Sequence, residues 1–396
     1  MQDIACKMRL EPLVRISPYL FLTAGILSAG WCAGQVSSQA PSDKARPSSV
    51  RSPKTGTPVA TAEMPPPTSA PSADVALQAP VIDVLDFYGL GKIPEARIRK
   101  VLGFKEGDPF PRSKGDVEER LDDQPDIIES HLEAVCCDDG KTVMYVGIEE
   151  KGSPHFDLRE APEGDVELPK EILSDYRDFL EAYASAVRRD DAAEDLTKGH
   201  SLMADPLARE IQLKFFDLAK NNMRQLREAL RNSSDDELRA AAVYVMTYAA
   251  DKHTIIDDLQ FALRDADPAV RANGVQGLVA LLVYSRLNPD VGIKIEPTWF
   301  VEMLNSLSWS DRDHALKALQ LLTDNRDAST IGLLRERALP ALIEMSRWKT
   351  LAHALPAFVL TGRVAGMTDQ QIQDAWTSGD RETVIAAASG NPKKKR

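Results

Sequence analysis

The chain has 396 residues and a formal net charge of −12, from 60 acidic and 48 basic side chains. Affinity for nucleic acid comes mainly from basic patches that neutralise phosphates, so the acidic balance argues against a nucleic-acid partner. The length allows two domains together with segments that do not fold.

The first part of the chain has the composition of an export signal. A positively charged front precedes an apolar run of about 13 residues, which is shorter than the roughly 20 that a membrane-spanning helix needs. The basic residues are Lys7, Arg9 and Arg15, and the apolar run extends from Pro18 to Gly30. We therefore expect residues 1–34 to be a signal peptide and the protein to be exported, to the periplasm or outside the cell. A retained signal, or lipidation at Cys32, would place the N-terminus at a membrane.

Two further segments are predicted not to fold. Residues 35–80 are dominated by Pro, Ser, Ala and Thr, a composition that buries too little apolar surface to offset chain entropy. We expect a disordered, semi-stiff linker there. Residues 391–396 end in Lys393-Lys394-Lys395-Arg396, which indicates a solvated basic tail or a weak contact with an anionic surface.

Cysteine usage does not indicate a disulfide framework. After removal of the signal, the adjacent Cys136 and Cys137 would be the cysteines of the chain. Neighbouring residues of a strand point to opposite faces, so we predict an inward Cys136 and an exposed Cys137, without a redox or metal role.

Residues 81–152 show the pattern of a small α+β domain. Strands are predicted at residues 81–90, 127–137 and 141–150, and helices at residues 94–104 and 113–121. In the second strand, alternation places Ile128, Leu132, Ala134 and Cys136 on the core face. Asp138-Asp139-Gly140 is predicted to form the hairpin turn that leads to the third strand.

This order of elements resembles that of polypeptide-transport-associated (POTRA) domains. The supporting motifs are Gly89-Leu90-Gly91 after the first strand, GDPF at residues 107–110, and the closing Val146-Gly147-Ile148-Glu149-Glu150. The resemblance implies a three-stranded sheet with an open edge, to which a strand of a partner adds. A small packing domain with a protected edge is the alternative.

Residues 153–204 are predicted to be a connector that contains one helix. The helix starts at Pro169 and bridges or caps the helical part that follows. Its apolar face is predicted to carry Ile172, Tyr176, Phe179, Leu180, Tyr183 and Val187. No strand is predicted after Leu168.

Residues 205–390 are predicted to be entirely helical. Helices are expected at residues 207–223, 223–231, 235–250, 257–264, 267–284, 297–307, 310–322, 330–347, 351–364, 368–376 and 381–388. Two of these segments share one register. Asp235, Leu238, Arg239, Ala241, Ala242 and Val245 are followed 32 positions later by Asp267, Val270, Arg271, Gly274 and Leu278. We predict that Arg239 and Arg271 reach an Asp of their own or of a neighbouring unit and form a ladder between units.

These units resemble HEAT repeats, in particular the short bacterial type. The motifs are DDELRAAA at residues 235–242, DPAVRANG at residues 267–274, and a weaker copy without the Arg at residues 311–319. The resemblance implies stacked helix pairs that form a solenoid and bind other macromolecules. The predicted fold class is therefore α+β, a βααββ POTRA-like domain followed by an all-α HEAT-type solenoid.

Residues with catalytic or metal-binding chemistry do not cluster in the sequence. The six His residues, His131, His155, His200, His253, His314 and His353, form no metal-binding pair, and His314 is expected to be a half-buried structural residue. Pairs of Asp fall mostly at turns and helix starts, where Asp bonds locally. Trp299, Trp309, Trp348 and Trp376 are predicted to fill the core, with a binding groove as the alternative. We therefore predict no catalytic residue, no cofactor and no metal.

Three functions are compatible with these patterns. The favoured one is a non-catalytic exported scaffold that binds protein partners through the helical-repeat surface and the sheet edge. The second is a membrane-tethered accessory factor in envelope assembly or protein transport. The third is an enzyme whose site is assembled from scattered residues, since fold alone does not decide function.

Overall fold

The computed structural model describes residues 81–138 and 140–390. The signal peptide, linker and basic tail that the sequence predicts lie outside the described residues, as do the side chains of Cys136 and Cys137. The described part is α+β, with a three-stranded sheet followed by a mostly helical part, and it contains 14 α-helices.

The sheet domain has its five elements in the predicted order. They are β1 (Val84–Tyr88), α1 (Glu95–Leu102), α2 (Gly115–Asp122), β2 (Ile127–Asp138) and β3 (Lys141–Glu150). The central strand β3 pairs parallel with β1 and antiparallel with β2. One face of the sheet packs on α1 and α2 through Leu85, Leu132 and Val146. The opposite face carries Tyr88 and Tyr145, which belong to the core of the helical part.

The predicted alternation in β2 is wrong at its first residues. The pairing register with β3 shifts between Ile127 and Glu129, which is the signature of a β-bulge. As a result Ile127 is buried, whereas Ile128 is 52% exposed and does not reach the core. Beyond the bulge the prediction is confirmed, since Leu132 is buried and Ala134 packs against the same core.

The rest of the described chain is built from helices and one short hairpin. Its elements are α3 (Lys170–Arg188), β4 (Glu194–Asp195), β5 (Leu202–Met203), α4 (Pro206–Asn232), α5 (Asp236–Met246), α6 (Ile256–Ala262), α7 (Pro268–Leu287), α8 (Thr298–Met303), α9 (Trp309–Leu322), α10 (Ala328–Arg337), α11 (Leu339–Met345), α12 (Leu351–Val364), α13 (Asp369–Thr377) and α14 (Arg381–Ala388). Short 3₁₀ helices cover Lys252–Ile255 and Pro289–Val291.

Several boundaries differ from the predicted ones. The helices predicted at residues 207–223 and 223–231 are the single helix α4, because no Gly or Pro interrupts it. The helix predicted at residues 330–347 is divided into α10 and α11, because Pro340 lies in the first turn of α11 and cannot continue α10. The hairpin of β4 and β5 contradicts the expectation of no strand after Leu168. Its turn includes Gly199 at φ +74, a conformation that Gly adopts readily.

Helix α3 confirms most of its predicted apolar face. Ile172, Tyr176, Phe179 and Tyr183 are buried at spacings of three and four residues. Leu180 is 43% exposed, so its assignment to this face is wrong. It lies one residue after Phe179, and one residue turns a helix by about 100°, away from the buried stripe.

Buried ion pairs join consecutive units of the helical part. Arg239 Nη2 lies 2.9 Å from Asp265 Oδ1, and Arg271 Nη2 lies 2.9 Å from Asp311 Oδ2. Each Arg also donates to backbone carbonyl groups before its own helix, with Arg239 Nη1 3.0 Å from Ser233 O. The predicted ladder is therefore present, and its carboxylates come from the following unit.

A third arginine continues this arrangement from the same place on its helix, because Arg312 follows the N-cap residue Ser308 by four positions, as Arg239 follows Asp235 and Arg271 follows Asp267. The predicted third copy, which starts at Asp311 and has Ala315 at the Arg position, is therefore wrong by three residues, and Arg312 donates from Nε to Ser306 O at 2.6 Å. Its Nη1 is 3.6 Å from Glu344 Oε2. We call these three contacts, Arg239–Asp265, Arg271–Asp311 and Arg312–Glu344, the rungs.

The sheet domain and the first part of the connector lie along one edge of the helical part, formed by the loops that precede α5, α7 and α9. We call it the corner edge. In the connector, Gly164 O accepts from Ser234 N at 2.8 Å, and Arg159 N donates to Arg264 O at 2.7 Å. In the sheet domain, Tyr88 Oη donates to Leu307 O at 2.7 Å. The sheet domain is thus fixed against the helices.

Candidate functional site

The outer edge of β1 is occupied by the helical part. Lys349 Nζ donates to Leu85 O at 2.5 Å, and Lys349 N donates to Asp86 Oδ2 at 2.7 Å. At the end of the strand, Gly89 N donates to the carboxylate of Glu344 at 2.8 Å. Two of these contacts occupy backbone groups, Leu85 O and Gly89 N, that an added strand would need, so β1 is not an open edge.

The outer edge of β2 is blocked at its middle by one side chain. Glu118 Oε1, on α2, accepts from Leu132 N at 2.7 Å. Lys114 Nζ and His131 Nδ1 each lie 3.4 Å from the same carboxylate oxygen. Burial opposes the charged form of Glu118, but hydrogen bonds from His131 and Leu132, with the charge of Lys114, lower its pKa. A charged carboxylate therefore occupies the position of a strand partner.

The larger surface groove lies between α3 and the corner edge and has a volume of about 810 Å³. We call it the α3 groove. Its charged lining consists of five acidic side chains, Asp165, Glu167, Asp178, Glu181 and Asp235, and two basic ones, Lys170 and Arg177. Arg177 is further paired with Glu237 on α5. The groove is therefore acidic and has a small apolar floor from Val166, Leu168, Leu173 and Leu238.

A second groove, of about 360 Å³, lies at the end of α6. We call it the arginine–aromatic groove, and its lining is Arg159, Asp257, Gln260, Phe261, Arg264 and Trp299. The connector fixes one wall, because Arg159 Nη1 donates to Phe261 O at 2.6 Å and Arg264 Nε donates to Asp157 O at 2.9 Å. Trp299, from the first turn of α8, forms the opposite wall.

Three guanidinium groups stack on two aromatic rings at this groove. The Cζ atom of Arg159 lies 3.3 Å from the ring centroid of Phe261, and that of Arg231 lies 4.8 Å from it. Arg264 Cζ lies 4.4 Å from the centroid of Trp299. Burial lowers the pKa of Arg159 to about 10. The nearby Asp265 acts to raise this pKa, and repulsion by neighbouring arginines acts to lower it further. The groove is therefore a concentrated positive site on an acidic protein.

A polar cluster lies behind the β4–β5 hairpin. Glu194 Oε2 accepts from Ser201 Oγ at 2.9 Å and from Gln276 Nε2 at 3.0 Å. Burial raises the pKa of Glu194 to about 7, lowers that of Lys252 to about 8, and, together with the charge of Lys252, lowers that of His200 to about 4. These groups serve the packing of the hairpin onto α4, α5 and α7 through Gln212, Tyr244 and Gln276.

The six His residues are dispersed through the structure. His353 Nδ1 lies 2.7 Å from Tyr145 Oη at the junction of the sheet with the helices, where Tyr145 also stacks on Trp309. His314 is more buried than expected, at 6% exposure. Trp309 and Trp348 are core residues, as predicted, whereas Trp299 lines a groove, which was the alternative.

Sequence reasoning did not single out Arg159, Arg231 or Arg264. They lie far apart in the chain, and the docking of the connector brings the first one to the other two. The aromatic residue at position 299 was the signal that was present in the sequence.

Among residues 81–138 and 140–390, no group of three or more His, Cys, Asp and Glu side chains could hold a metal ion. No helix in that part of the chain combines the length and the apolar character needed to cross a membrane. Comparison with protein-family models, with curated proteins and with solved structures found no match to the chain.

Proposed function

We propose that this chain is a non-catalytic exported scaffold that binds protein partners through its helical part. The observation that carries the proposal is the pair of open grooves beside the corner edge, of about 810 and 360 Å³. Both are formed between elements held by backbone hydrogen bonds and buried ion pairs, so little ordering entropy is lost when a partner binds.

The rungs support the finer proposal that the helical part is a HEAT-type solenoid. Each of the first two joins the Arg of one unit to a carboxylate of the next, so neighbouring units hold each other in place. Capping is also repeated, since Asp235 and Asp267 each accept from a backbone N–H of the first turn of their helices. Nearest-neighbour contacts of this kind are what a stack of helix pairs needs.

The POTRA-like assignment of residues 81–152 is proposed on the element order and the strand order β1-β3-β2. Because β1 is covered and β2 is blocked by Glu118, we propose the sheet edge as a secondary contact that requires Glu118 to move. The helical grooves are therefore the primary binding surface.

Site-specific photocrosslinking in the producing cells tests the scaffold. Benzoylphenylalanine is introduced at one position in each of three variants. It replaces Ser174 in the α3 groove, Gln260 in the arginine–aromatic groove, or, as the control, Lys220, an exposed residue of α4. We expect a discrete crosslinked protein from one or both groove positions and none from the control. Equal yields at all three positions would exclude these grooves as the binding surface.

The alternative proposal is a membrane-tethered accessory factor in envelope assembly or protein transport. It is favoured by the signal-like residues 1–34 and the linker-like residues 35–80 in the sequence. Fractionation of the producing cells separates the two proposals: a tethered protein sediments with membranes and is released by detergent but not by salt.

A further inference from the structure

We propose that the arginine–aromatic groove binds a carboxylate-bearing segment of a protein partner, that is, an acidic peptide with an apolar side chain beside its acid. This inference rests on the proposed binding function and names the chemistry of the segment bound. It is argued from the pairing state of the arginines, the local charge and the apolar lining.

Arg264 is the group best placed to recognise a carboxylate. Its Nε donates to Asp157 O at 2.9 Å, and its Cζ lies over the ring of Trp299, 4.4 Å from the centroid. It forms no ion pair with any acid of residues 81–138 and 140–390. A guanidinium held at one nitrogen and stacked on an indole is pre-organised to donate its other N–H groups to a carboxylate.

The surrounding charge is positive because several arginines share few acids. Asp258 pairs with Arg227 and Arg231, while Asp265 pairs with Arg239 and more distantly with Arg159, at 4.0 Å. With Arg264, five arginines face two buried carboxylates, a balance of +5 − 2 = +3, and Asp257 on the groove lining reduces it to +2. A bound acid would relieve this repulsion in a partly desolvated site.

One arginine of this group, Arg231, has a buried hydrogen-bond donor that is not used within the described residues. Arg231 Nη1 is buried and has no hydrogen-bond partner, while its Nη2 is 2.7 Å from Asp258 Oδ1. Its Cζ lies 4.8 Å from the ring centroid of Phe261, a lining residue, so Arg231 stands behind the lining and adds to the positive charge there. Most buried donors have a hydrogen-bond partner, so an exception often marks a position where a water molecule or a bound group lies.

The lining favours a peptide over a small inorganic anion. Phe261 and Trp299 are only half-buried, so they offer apolar surface that an aliphatic or aromatic side chain next to the acid would cover. Asp257 repels a doubly charged phosphate more than a singly charged carboxylate. The groove is open, so a chain can enter and leave it.

Fluorescence anisotropy of two labelled hexapeptides on the full chain tests the proposal. The acidic probe is Glu-Asp-Leu-Glu-Phe-Asp, and its neutral twin has Gln and Asn in place of the acids and an amidated end. We expect binding of the acidic probe, weakened at least about tenfold by Arg264→Gln, because a charge-assisted hydrogen-bond pair is lost. Trp299→Ala should weaken it as well, through the loss of stacking and apolar contact.

The matched control is Arg224→Gln, which removes an exposed arginine of α4 that lies outside the groove lining. It should bind the probe as the unmodified chain does. Arg264→Lys keeps the charge but not the planar pair of donors, so its affinity for the acidic probe should lie between those of Arg264→Gln and the unmodified chain. Thermal unfolding followed by circular dichroism identifies any variant that has lost its fold.

The other outcomes overturn the inference. One is that the acidic probe fails to bind, and another is that the neutral twin binds equally well. A third is that Arg224→Gln loses as much affinity for the acidic probe as Arg264→Gln does. The last is that inorganic phosphate displaces the probe completely at a concentration at which chloride does not. If the probe fails while benzoylphenylalanine at position 174 still crosslinks a discrete protein, the acidic-peptide assignment is wrong and the scaffold function stands. If both fail, the scaffold function fails as well.

Discussion

Arg239 and Asp265 form a fully buried ion pair between α5 and the loop before α7, with Nη2 2.9 Å from Oδ1 and each side chain 2% exposed. The carboxylate also accepts from Asp267 N at 2.9 Å, and the guanidinium also donates to Ser233 O. The Asp265 carboxylate thus fixes the start of α7 and neutralises the charge of Arg239 on α5. Buried pairs of this kind matter most when one partner is removed.

We predict that Asp265→Ala destabilises the helical part by about 3–5 kcal/mol, because it leaves the Arg239 charge buried without a counter-charge. The measurement is chemical denaturation of both proteins, followed by circular dichroism at a helix-sensitive wavelength. The transition that reports the helices should move to lower denaturant.

The control for this prediction is Asp126→Ala, which removes the exposed pair of Asp126 with Arg97. Exposed pairs contribute at most about 1 kcal/mol, so the transition should hardly move. The double variant Arg239→Met with Asp265→Leu should recover much of the loss, since apolar replacements leave no buried charge. A transition for Asp265→Ala within the range of the Asp126 control would show that the rung does not hold the units together.

The rungs show which parts of the fold could be predicted from the sequence. The shared register of Asp235 and Asp267 predicted helix starts, and both residues cap their helices. The ladder was predicted as well, with an Asp of the same or a neighbouring unit as its acceptor. Which Asp it would be was not predicted, since Asp265 lies two residues before the helix cap and Asp311 lies in the first turn of α9. Arg312 was missed because the third copy was aligned on Asp311, whereas the helix is capped three residues earlier, at Ser308, which places Arg312 in the repeated Arg position.

Features that depend on distant contacts were not predictable. The exposure of Ile128 follows from a bulge in its pairing with β3, which alternation within one strand does not reveal. The arginine–aromatic groove needs Arg159, in a polar connector, to be docked beside Phe261 by its hydrogen bond to Phe261 O. Only Trp299, singled out as an aromatic of the helical part, pointed to it.

The second prediction concerns the junction between the sheet and the helices. A Cβ atom at Gly147 on β3 would lie 2.5 Å from the Tyr88 ring and 2.7 Å from Leu307 O. Gly147→Ala must therefore push the sheet away from the corner edge, and we expect a loss of about 1–3 kcal/mol. Hydrogen exchange should be faster in β3 and in the loop before α9.

Gly115→Ala is the matched control, because nothing lies within 4 Å of a Cβ atom at that position in α2. It should leave exchange at the junction unchanged, and replacing Gly by Ala within a helix is expected to stabilise slightly. Unchanged exchange in Gly147→Ala would mean that the junction is more loosely packed than the contact of Tyr88 with Leu307 indicates.

The third prediction concerns the edge of β2. In Glu118→Ala the Leu132 N–H loses its acceptor, so its amide hydrogen should exchange faster, by about a factor of ten. The exposed edge should also promote self-association, since unpaired strand edges are templates for pairing. Mass-resolved hydrogen exchange and sedimentation velocity measure the two effects.

Glu118→Gln is the control for this change, because its amide oxygen can still accept from Leu132 N. It should protect the amide and keep the protein in its original association state. If Glu118→Ala exchanges at Leu132 as slowly as the unmodified chain, another group protects this edge.

The fourth prediction is a dependence of stability on pH that originates behind the β4–β5 hairpin. Glu194 has its pKa raised from 4.5 to about 7 by burial, so the folded state holds its proton longer than the unfolded state does. Its contribution is fully present below pH 4.5 and is lost as the pH rises through 7. His200 acts in the opposite sense, because its pKa is lowered from 6.5 to about 4 and its contribution is lost as the pH falls.

Glu194→Gln separates the two effects, since Gln keeps an oxygen for Ser201 and has no charge to bury. The variant should match the unmodified chain below about pH 4.5 and exceed it by about 1–3 kcal/mol above pH 7, where Glu194 is ionised in both states. Asp195→Asn, on the same hairpin, is the opposite-sign control: Thr197 lowers the pKa of Asp195, so this variant should lose stability above pH 4. Denaturation series at pH 4, 5.5, 7 and 8 measure the difference, with Lys252 entering only toward pH 8. A Glu194→Gln curve parallel to that of the unmodified chain would show that this carboxylate is solvated in solution.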